Sequence, residues 1–481
     1  MGCPRIVGVL VDVIIMLLRL CQHSCFISRM YVAVQQKYMA ITMQRRTPFK
    51  MLGAGVAMFV LSVQLHAQVA FAPGINYGVG GRPESVIAAD VNGDGKVDLI
   101  CANALDNTLS VLTNNGSGGF ALSCTLNVGD YPYSVTAADV NGDGKMDLIC
   151  ANAGDDSLSV LTNDGSGGFA LASTLSVGYF PISVTAADVN GDGKMDLICA
   201  NENSGTLSVL TNDGSGAFVL SSTLEVGTYP SSVVAADVNG DGKVDLICAN
   251  AGGNSLSVLT NDGSGGFALS STPVVDYNPE YLVATDVNGD GKVDLISGNY
   301  NSTSLSVLTN DGSGDFTLTC TVSVVDQSTR QGCPHGLTAA DLNGDGKVDL
   351  ICANLCDGTL QVFTNDGSGV FALYSMVSVG SGPASVTAAD VNGDGKVDLI
   401  CSTTDNTLSV FIAVPTLTIN RLGSDMQVSW PSAWTNWILQ QNSNLATTNW
   451  SASGSISDNG TNKSITIQSP TGSLFFRLCN P

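Results

Sequence analysis

Short apolar, β-branched runs alternate with turns rich in Gly, Asn and Asp along most of this chain. In one unit the runs read YSVTAAD, MDLICAN, LSVLTN and FALASTLSV, each the length of a β-strand. The segment TNDGSGGF between the third and fourth runs is typical of a hairpin, because Asp-Gly and Gly readily adopt positive φ. No long stretch has helical spacing. The pattern predicts an all-β chain made of four-stranded units.

These units repeat seven times. The sequence DVNGDGKVDLIC recurs with little change, and successive copies are 49 residues apart except before the sixth, where the interval is 55. The longer interval reflects a six-residue insertion in VVDQSTRQGCPHG. Four strands within a period of roughly 40–50 residues are typical of one blade of a β-propeller. The first Asp of each copy is Asp90, Asp139, Asp188, Asp237, Asp286, Asp341 and Asp390.

The two ends of the repeat region complement each other. The seventh copy stops after its third run, LSVFIAV, and a matching fourth run lies in VAFAPGINYGVGGRP, before the first copy. Phe71 precedes Pro83 by 12 residues, as Phe218 precedes Pro230. An N-terminal strand that completes the last blade would remove an exposed sheet edge. We therefore expect a closed seven-bladed β-propeller over residues 68–413.

The N-terminal region contains an apolar segment of the export type. Residues 43–67 combine a basic start, an apolar core and the small residue Ala67, which predicts a signal peptide; a membrane-anchoring helix is the alternative. Residues 1–42 lie upstream, and we interpret them as an over-extended reading frame, with translation starting at Met39 or Met43. With the signal removed, no integral membrane domain is expected in the mature chain.

The C-terminal region, residues 416–481, lacks the repeat. All four tryptophans of the chain lie there, together with short alternating runs such as MQVSWP, SITIQ and LFFRL. We expect a small β-sandwich-like module, similar to the C-terminal β modules of many exported bacterial proteins. Tryptophans in so small a domain are usually core residues. These tryptophans are Trp430, Trp434, Trp437 and Trp450.

The chain is strongly acidic. It has 42 Asp and Glu against 19 Lys and Arg, for a formal charge of -23, and residues 1–67 contain a single acidic residue, Asp12. Such a surface repels phosphate backbones, so a nucleic-acid partner is excluded. It suits divalent cations instead.

The repeated loop has the donors of a calcium site. In the first copy, oxygen atoms of Asp90, Asn92, Asp94, the Lys96 carbonyl and Asp98 surround a bend at glycine, as in the first nine positions of an EF-hand loop. Oxygen donors favour Ca²⁺ over Zn²⁺, and a flexible loop favours it over Mg²⁺. The equivalent predicted ligands are Asp139, Asn141, Asp143, Lys145, Asp147, Asp188, Asn190, Asp192, Lys194, Asp196, Asp237, Asn239, Asp241, Lys243, Asp245, Asp286, Asn288, Asp290, Lys292, Asp294, Asp341, Asn343, Asp345, Lys347, Asp349, Asp390, Asn392, Asp394, Lys396 and Asp398.

The motif D-x-N-x-D-G-x-x-D, with GF before the fourth strand, resembles the FG-GAP/VCBS repeats of integrin-α-like propellers. All seven copies match every ligand position, although the GAP portion of the family pattern is not recognisable. The resemblance implies that the loops bind Ca²⁺ on a lower face and that partners dock on the upper face.

The loops have two possible roles. Asp, Asn and Gly could simply form tight turns. Three carboxylates within nine residues argue against this, because they would repel each other without a cation. We expect up to seven structural Ca²⁺ ions that join hairpins and align blades.

Aromatic residues precede or begin the first strand of several repeats, on the face opposite the acidic loops. They could contact a carbohydrate or protein ligand, or pack against neighbouring blades. The predicted ligand-binding residues are Tyr131, Tyr133, Tyr179, Phe180, Tyr229 and Tyr277.

The spacing of the cysteines does not indicate a disulfide framework. Six follow DLI at the same repeat position, so we interpret them as buried free thiols. Cys333 and Cys356 occur only in the sixth repeat and could form a disulfide, which an export compartment allows.

We therefore predict a secreted or cell-surface, calcium-binding propeller that binds an extracellular protein or glycan as an adhesion module. The alternative is a polysaccharide-active hydrolase or lyase that uses the upper face. Few residues support it: His335 is the single histidine after the leader, and the glutamates Glu84, Glu202, Glu225 and Glu280 are scattered in sequence.

Overall fold

The computed structural model describes residues 69–324, 333–422, 424–432, 434, 437–443, 450–460, 462–468 and 474–479. The predicted signal peptide, residues 43–67, and the upstream residues 1–42 lie outside the described residues. Within these ranges the regular structure is β-strand apart from one 3-10 turn, Glu202–Ser204. In the same ranges no helix has the length and apolar character needed to cross a bilayer.

The repeats form seven four-stranded antiparallel sheets in the described residues. Two short strands, β1 (Val69–Phe71) and β2 (Ile75–Gly78), come before them. The first three sheets comprise β3 (Pro83–Ala89), β4 (Asp98–Asn103), β5 (Thr108–Asn114) and β6 (Phe120–Asn127); β7 (Pro132–Ala138), β8 (Asp147–Asn152), β9 (Ser157–Asn163) and β10 (Phe169–Ser176); and β11 (Pro181–Ala187), β12 (Asp196–Asn201), β13 (Thr206–Asn212) and β14 (Phe218–Glu225).

The later sheets follow the same order. The fourth and fifth comprise β15 (Pro230–Ala236), β16 (Asp245–Asn250), β17 (Ser255–Asn261) and β18 (Phe267–Ser271); and β19 (Pro279–Thr285), β20 (Asp294–Asn299), β21 (Ser304–Asn310) and β22 (Phe316–Ser323). The sixth comprises β23 (Pro334–Ala340), β24 (Asp349–Asn354), β25 (Thr359–Asn365) and β26 (Phe371–Ser378), and the seventh contains β27 (Pro383–Ala389), β28 (Asp398–Thr403) and β29 (Thr407–Phe411).

Burial follows the position of a strand within its sheet. Every residue of the second strand β4 is buried, including the apolar run LICA and the polar residues Asp98 and Asn103 at its two ends. The fourth strand β6 alternates between exposed and half-buried residues, so it lies at the outer edge. This arrangement, repeated in each sheet, is that of a β-propeller blade.

The seventh sheet takes its fourth strand from the beginning of the described chain. Its order is β2–β29–β28–β27, with Ile75 opposite Val410. β1 pairs with β30 (Ala413–Pro415), with Phe71 opposite Ala413. The segment that we predicted as one strand is thus two short strands, because Pro73 lies between them and has no N–H to donate.

Buried asparagines connect neighbouring sheets. Asn163, in the second sheet, donates from Nδ2 to the carbonyl oxygen of Val91, in the loop of the first sheet, at 2.7 Å. Asn114, in the first sheet, donates in the same way to Val391, in the loop of the seventh, at 2.8 Å. The first and seventh sheets are therefore in direct contact.

Apolar clusters fill the space between sheets. Ile100 and Val111 of the first sheet pack with Leu148 and Cys150 of the second. An equivalent cluster joins the first and seventh sheets and contains Val86, Leu99, Cys101, Leu112, Val391, Ile400, Leu408 and Val410. The core is thus divided into layers between neighbouring sheets.

The C-terminal region forms two small sheets. Their strands are β31 (Thr418–Leu422), β32 (Asp425–Pro431), β33 (Ile438–Asn442), β34 (Ser451–Ala452), β35 (Ser457–Asp458), β36 (Asn462–Ile467) and β37 (Phe475–Cys479), in the orders β31–β32–β36–β35 and β34–β33–β37. Val428, Trp430, Leu439 and Ile465 are buried between them. Trp434 instead packs against Ala413 and Phe71, next to the seventh sheet.

Candidate functional site

Each acidic loop joins the first and second strands of a sheet; in the first sheet it comprises residues 90–98. Asp90 accepts hydrogen bonds from the main-chain N–H groups of Gly93 and Gly95, both at 2.8 Å. Gly93 and Gly95 have φ of +73° and +81°, which glycine adopts without steric cost. The loop is therefore wrapped around the Asp90 carboxylate.

The next two acceptors of the loop also face inward. Asn92 Oδ1 accepts from the N–H of Asp94 at 2.9 Å, and Asp94 Oδ1 accepts from the N–H of Lys96 at 3.0 Å. The Lys96 ammonium lies 3.1 Å from Asp94 Oδ2. Equivalent lysine–aspartate pairs occur in the second to fifth loops at 3.3–3.7 Å. The lysine thus provides one positive charge for three carboxylates.

The last carboxylate of the loop has a different environment. Asp98 is fully buried and accepts hydrogen bonds from the N–H groups of Val91, at 3.3 Å, and Asn114, at 2.8 Å. Burial raises the pKa of Asp98, these two hydrogen bonds oppose the rise, and the charges of Asp94 and Asp90 add to it. Asp98 therefore joins the acidic loop to the hairpin of its own sheet.

The sixth and seventh loops are more enclosed. Burial raises the pKa of Asp349 to about 6 and that of Asp398 to about 7. In the seventh loop the ammonium of Lys396 lies over the Trp434 ring, 5.4 Å from its centroid. The C-terminal module therefore covers this loop.

The loops offer the donor chemistry of a calcium site. Their inward acceptors are carboxylate and amide oxygens, and each carboxylate oxygen can accept a second contact. Among the described residues, however, no group of three or more His, Cys, Asp or Glu side chains is arranged to enclose a metal ion. A calcium ion would compete with the lysine ammonium for the Asp94 carboxylate.

A cavity of about 890 Å³ lies at the opposite ends of the first strands. All seven sheets contribute to its wall. Six of them supply the residue that follows the first proline of the strand, and the seventh supplies Ser385. These six residues are Glu84, Tyr133, Ile182, Ser231, Glu280 and His335. We call this space the central cavity.

A β-bulge leaves this position without a cross-strand partner in every sheet. Opposite β4, the register passes from Pro83–Asn103 directly to Ser85–Ala102, so Glu84 has no partner on the neighbouring strand. The other sheets have the same shift. Bulges re-aim side chains next to functional sites. The bulge residue also differs between repeats that are otherwise almost identical.

Three glutamates line the central cavity. Glu84 is buried and forms an ion pair with Arg82. Burial raises the pKa of Glu202 and of Glu280; the charge of His335 and a hydrogen bond from Asn278 lower the pKa of Glu280, and the charges of Glu202 and Glu84 raise it. The cavity is therefore an electronegative site.

His335 lies on the wall beside two tyrosines. Its Nδ1 atom is 2.9 Å from the carbonyl oxygen of Ala384 and 3.1 Å from the hydroxyl of Tyr281. Because a carbonyl oxygen can only accept, Nδ1 carries a proton. The ring of Tyr300 meets the imidazole edge to face at 6.0 Å.

The structure divides the predicted aromatic residues into two groups. Tyr133, Phe180 and Tyr229 line the central cavity. The Arg82 guanidinium lies over the Tyr131 ring, 5.2 Å from the ring centroid. Tyr179 and Tyr277 are 69% and 66% exposed and are not part of the cavity wall.

The cysteines occupy two environments. Cys333 and Cys356 form a disulfide, with Cα atoms 5.4 Å apart. The repeated cysteines are buried free thiols whose pKa is raised by burial: Cys101, Cys150, Cys199, Cys248, Cys352 and Cys401.

Sequence reasoning missed the glutamate cluster. We described Glu84, Glu202 and Glu280 as scattered, yet the structure places all three on one cavity, while Glu225 lies apart on an exposed strand. Two of them are bulge residues. The available signal was the residue after the first proline of each repeat, which varies in charge and size among the repeats.

Comparison with known proteins identifies the repeats. The model of the FG-GAP-like repeat matches six overlapping segments that together span more than half of the chain. These are residues 90–150, 139–199, 188–248, 237–297, 286–352 and 341–401. No curated protein sequence matches the chain.

Several solved structures are similar to the chain at low identity. BBS1N, solved in complex with ARL6DN, is 15% identical with a TM-score of 0.52, over 71% of this chain and 96% of that one. An Agrocybe aegerita lectin that recognises non-reducing terminal N-acetylglucosamine is 20% identical with a TM-score of 0.45, over 70% and 96%. A Lactobacillus plantarum protein is 16% identical with a TM-score of 0.47, over 84% and 99%. At these values the likeness does not extend to function.

Proposed function

Because the chain belongs to the FG-GAP-like repeat family, we propose that it is an exported, calcium-stabilised, seven-bladed propeller that binds an extracellular protein or glycan. The observation that carries the binding role is the central cavity, whose wall combines residues of all seven sheets. Ligand sites are typically concave, with a few polar groups among apolar and aromatic side chains.

The proposed test of binding is a screen of glycans and extracellular proteins in the presence of calcium. Tyr229→Ala should weaken capture of a ligand at least about tenfold, because Tyr229 lines the cavity. Tyr374→Ala is the matched control, since Tyr374 lies on the fourth strand of the sixth sheet. Equal losses in the two variants would contradict a site in the cavity.

A closed ring of seven blades is supported by the contacts between the first and seventh sheets. Besides Asn114, the N–H of Val86 donates to Ser385 Oγ at 3.3 Å. The same contact joins Val135 to Ser85 between the second and first sheets. A crystal structure in which the first and seventh sheets are apart would overturn the closed ring.

Calcium binding is supported by the inward oxygen donors and by the excess of negative charge in each loop. Calcium should raise the melting temperature, and chelation should lower it reversibly. In calorimetric titration, Asp188→Asn should bind one ion fewer than the parent, because Asp188 is the first acceptor of the third loop. Asp213→Asn, in an exposed hairpin of the same sheet, removes the same charge and should retain the stoichiometry. No calcium uptake by the parent would contradict the proposal.

Export rests on the sequence of residues 43–67. The test is N-terminal sequencing of protein recovered from the culture medium. Cleavage after Ala67 is expected. Retention of residues 1–42 in secreted protein would contradict it.

A polysaccharide-active enzyme is a second candidate, because Glu84, Glu202, Glu280 and His335 share one cavity. Glycoside hydrolysis needs two carboxylates across the scissile bond. Turnover of a polysaccharide panel that is lost in both Glu202→Gln and Glu280→Gln would favour this function over binding alone.

A further inference from the structure

The central cavity has more negative charge than its own residues neutralise. The Arg82 guanidinium is engaged by Glu84 and lies against Tyr131. Glu280 receives one hydrogen bond from Asn278 Nδ2, at 2.7 Å. Among the described residues Glu202 has neither a side-chain hydrogen-bond donor nor an ion-pair partner.

Two hydroxyl groups on the same wall are also unmatched. Tyr133 and Tyr300 line the cavity, and neither hydroxyl has a hydrogen-bond partner in the described part of the chain. Tyr133 is half-buried, and burial raises its pKa. Polar groups that line a cavity are normally paired, so these two hydroxyls are available to a ligand. A hydroxyl oxygen can accept from a ligand, and a tyrosine ring attracts a cation over its face.

The wall discriminates between classes of ligand. An anion would be repelled by the glutamates, and a neutral ligand would leave half-buried carboxylates uncompensated. A volume of about 890 Å³ is suited to a small organic molecule.

We propose that the central cavity binds a small organic cation whose primary ammonium group lies between Glu202 and Glu280. The carbon framework of the ligand packs against the rings of Tyr133 and Tyr300, and the two hydroxyls accept hydrogen bonds from N–H or O–H groups of the ligand. The inference rests on the proposed binding role of this cavity and specifies the chemical class of the ligand. Polyamines and amino sugars both provide the ammonium group.

The test uses three probes on the full secreted chain in calcium: spermidine, the tetramer of β-1,4-linked glucosamine and its fully N-acetylated counterpart. The acetylated tetramer has the same framework without the ammonium groups. Titration calorimetry should show binding of at least one amine probe and at least about tenfold weaker binding of the acetylated tetramer. The two amine probes distinguish a polyamine from an amino sugar.

Two variants locate the ammonium. Glu202→Gln and Glu280→Gln should each weaken binding of the amine at least about tenfold, since each removes a charge with little change in shape. Glu225→Gln removes the same charge from an exposed strand outside the cavity and should bind as the parent does. Thermal unfolding of each variant verifies folding; both positions are half-buried, and Glu202 lies in a short 3-10 turn.

Three outcomes would overturn the inference: no binding of either amine, equal binding of the acetylated tetramer, or unchanged affinity in both glutamine variants. The proposed binding function fails separately. If the acetylated tetramer binds as tightly as the amine and Tyr229→Ala weakens both, the cavity is a ligand site but not a cation site.

Discussion

At the scale of single residues, polar groups buried between sheets determine how neighbouring sheets pack, as the apolar core does. Asn114 is 5% exposed and makes four hydrogen bonds. Its Nδ2 donates to Val97 and Val391, its N–H donates to Asp98, and its Oδ1 accepts from Gly116. Removing such a side chain leaves several buried partners unsatisfied, which costs more than a surface hydrogen bond.

Asn114→Ala should therefore lower the free energy of unfolding by about 3 kcal/mol. The measurement is denaturant unfolding in the presence of calcium. Asn115→Ala is the adjacent control. The Asn115 side chain accepts three hydrogen bonds, but they lie within an exposed turn, so the loss of unfolding free energy should stay below about 1 kcal/mol. Equal losses would show that the contact with the seventh sheet contributes nothing.

The cavity glutamates should make cation binding dependent on pH. Because burial raises the pKa of Glu202 and Glu280, they take up protons above the usual carboxylate range. The affinity for spermidine should fall as the pH falls through these raised values, while the ammonium groups stay charged. The groups facing Glu280 that shape the profile are Glu84, Tyr133, Glu202, Tyr281, Tyr300 and His335, with Arg82 beyond Glu84.

The measurement is titration calorimetry of spermidine over a pH series, with Glu225→Gln as the reference variant. Without a bound cation, these raised pKa values also imply that folding favours the protonated glutamates. That part of the stability is therefore present at low pH and lost as the pH rises through the folded-state pKa values. An affinity that is constant or increases on acidification would contradict the role of these carboxylates.

At the scale of elements, the turn between the second and third strands shows how one geometry accepts several residue types. Its left-handed position is Asn107, Asp156, Gly205, Asn254, Thr303, Gly358 and Asn406 in the seven sheets, with φ between +50° and +68°. The atoms around this position determine whether it can accept a side chain. A Cβ at Gly205 would lie 3.6 Å from the carbonyl oxygen of Gly227, whereas one at Gly358 would lie 2.6 Å from that of Gly380.

Gly358→Ala should therefore be more destabilising than Gly205→Ala by about 2 kcal/mol, because a backbone atom must move in the first case. The two variants share the cost of a left-handed alanine, so their difference isolates the contact. Thermal unfolding of both proteins in calcium measures it. Similar melting temperatures would indicate that the backbone of the sixth sheet accommodates the added methyl group without loss of stability.

At the scale of the whole molecule, the C-terminal module and the seventh sheet share an apolar contact. Trp434 is 3% exposed and packs with Phe71, Ala413 and Trp437, which it meets edge to face at 6.0 Å. The module therefore covers the junction where the first and last strands of the repeat region pair.

Trp434→Ala should lower the stability of the repeat region by about 3 kcal/mol, as expected for a buried aromatic truncation. The readout is differential scanning calorimetry. Trp450→Ala is the control, because Trp450 is half-buried and packs within the module. The Arg477 guanidinium lies over its ring, 4.4 Å from the ring centroid. A single transition unaffected by Trp434→Ala would show that the module does not support the propeller.

Local sequence signals predicted the sheets well. Turn glycines and the apolar run LICA are local signals for turns and strands, so the all-β repeats and the family were evident. The break at Pro73 was missed, although the missing N–H of proline is a local signal. Three of the predicted aromatic residues line the cavity, but the meeting of Glu84 and Glu280 on one wall was not predicted, because it depends on a bulge in each of two distant repeats.

The pairing of β2 with β29 also has a consequence for biosynthesis. Asn76 accepts a hydrogen bond from Ser409 across 333 residues of sequence. A strand that leaves the ribosome early must remain without its neighbour until nearly the entire repeat region has been synthesised. The last sheet therefore forms late, and a truncated chain exposes a β-edge at which chaperones or a second copy could associate.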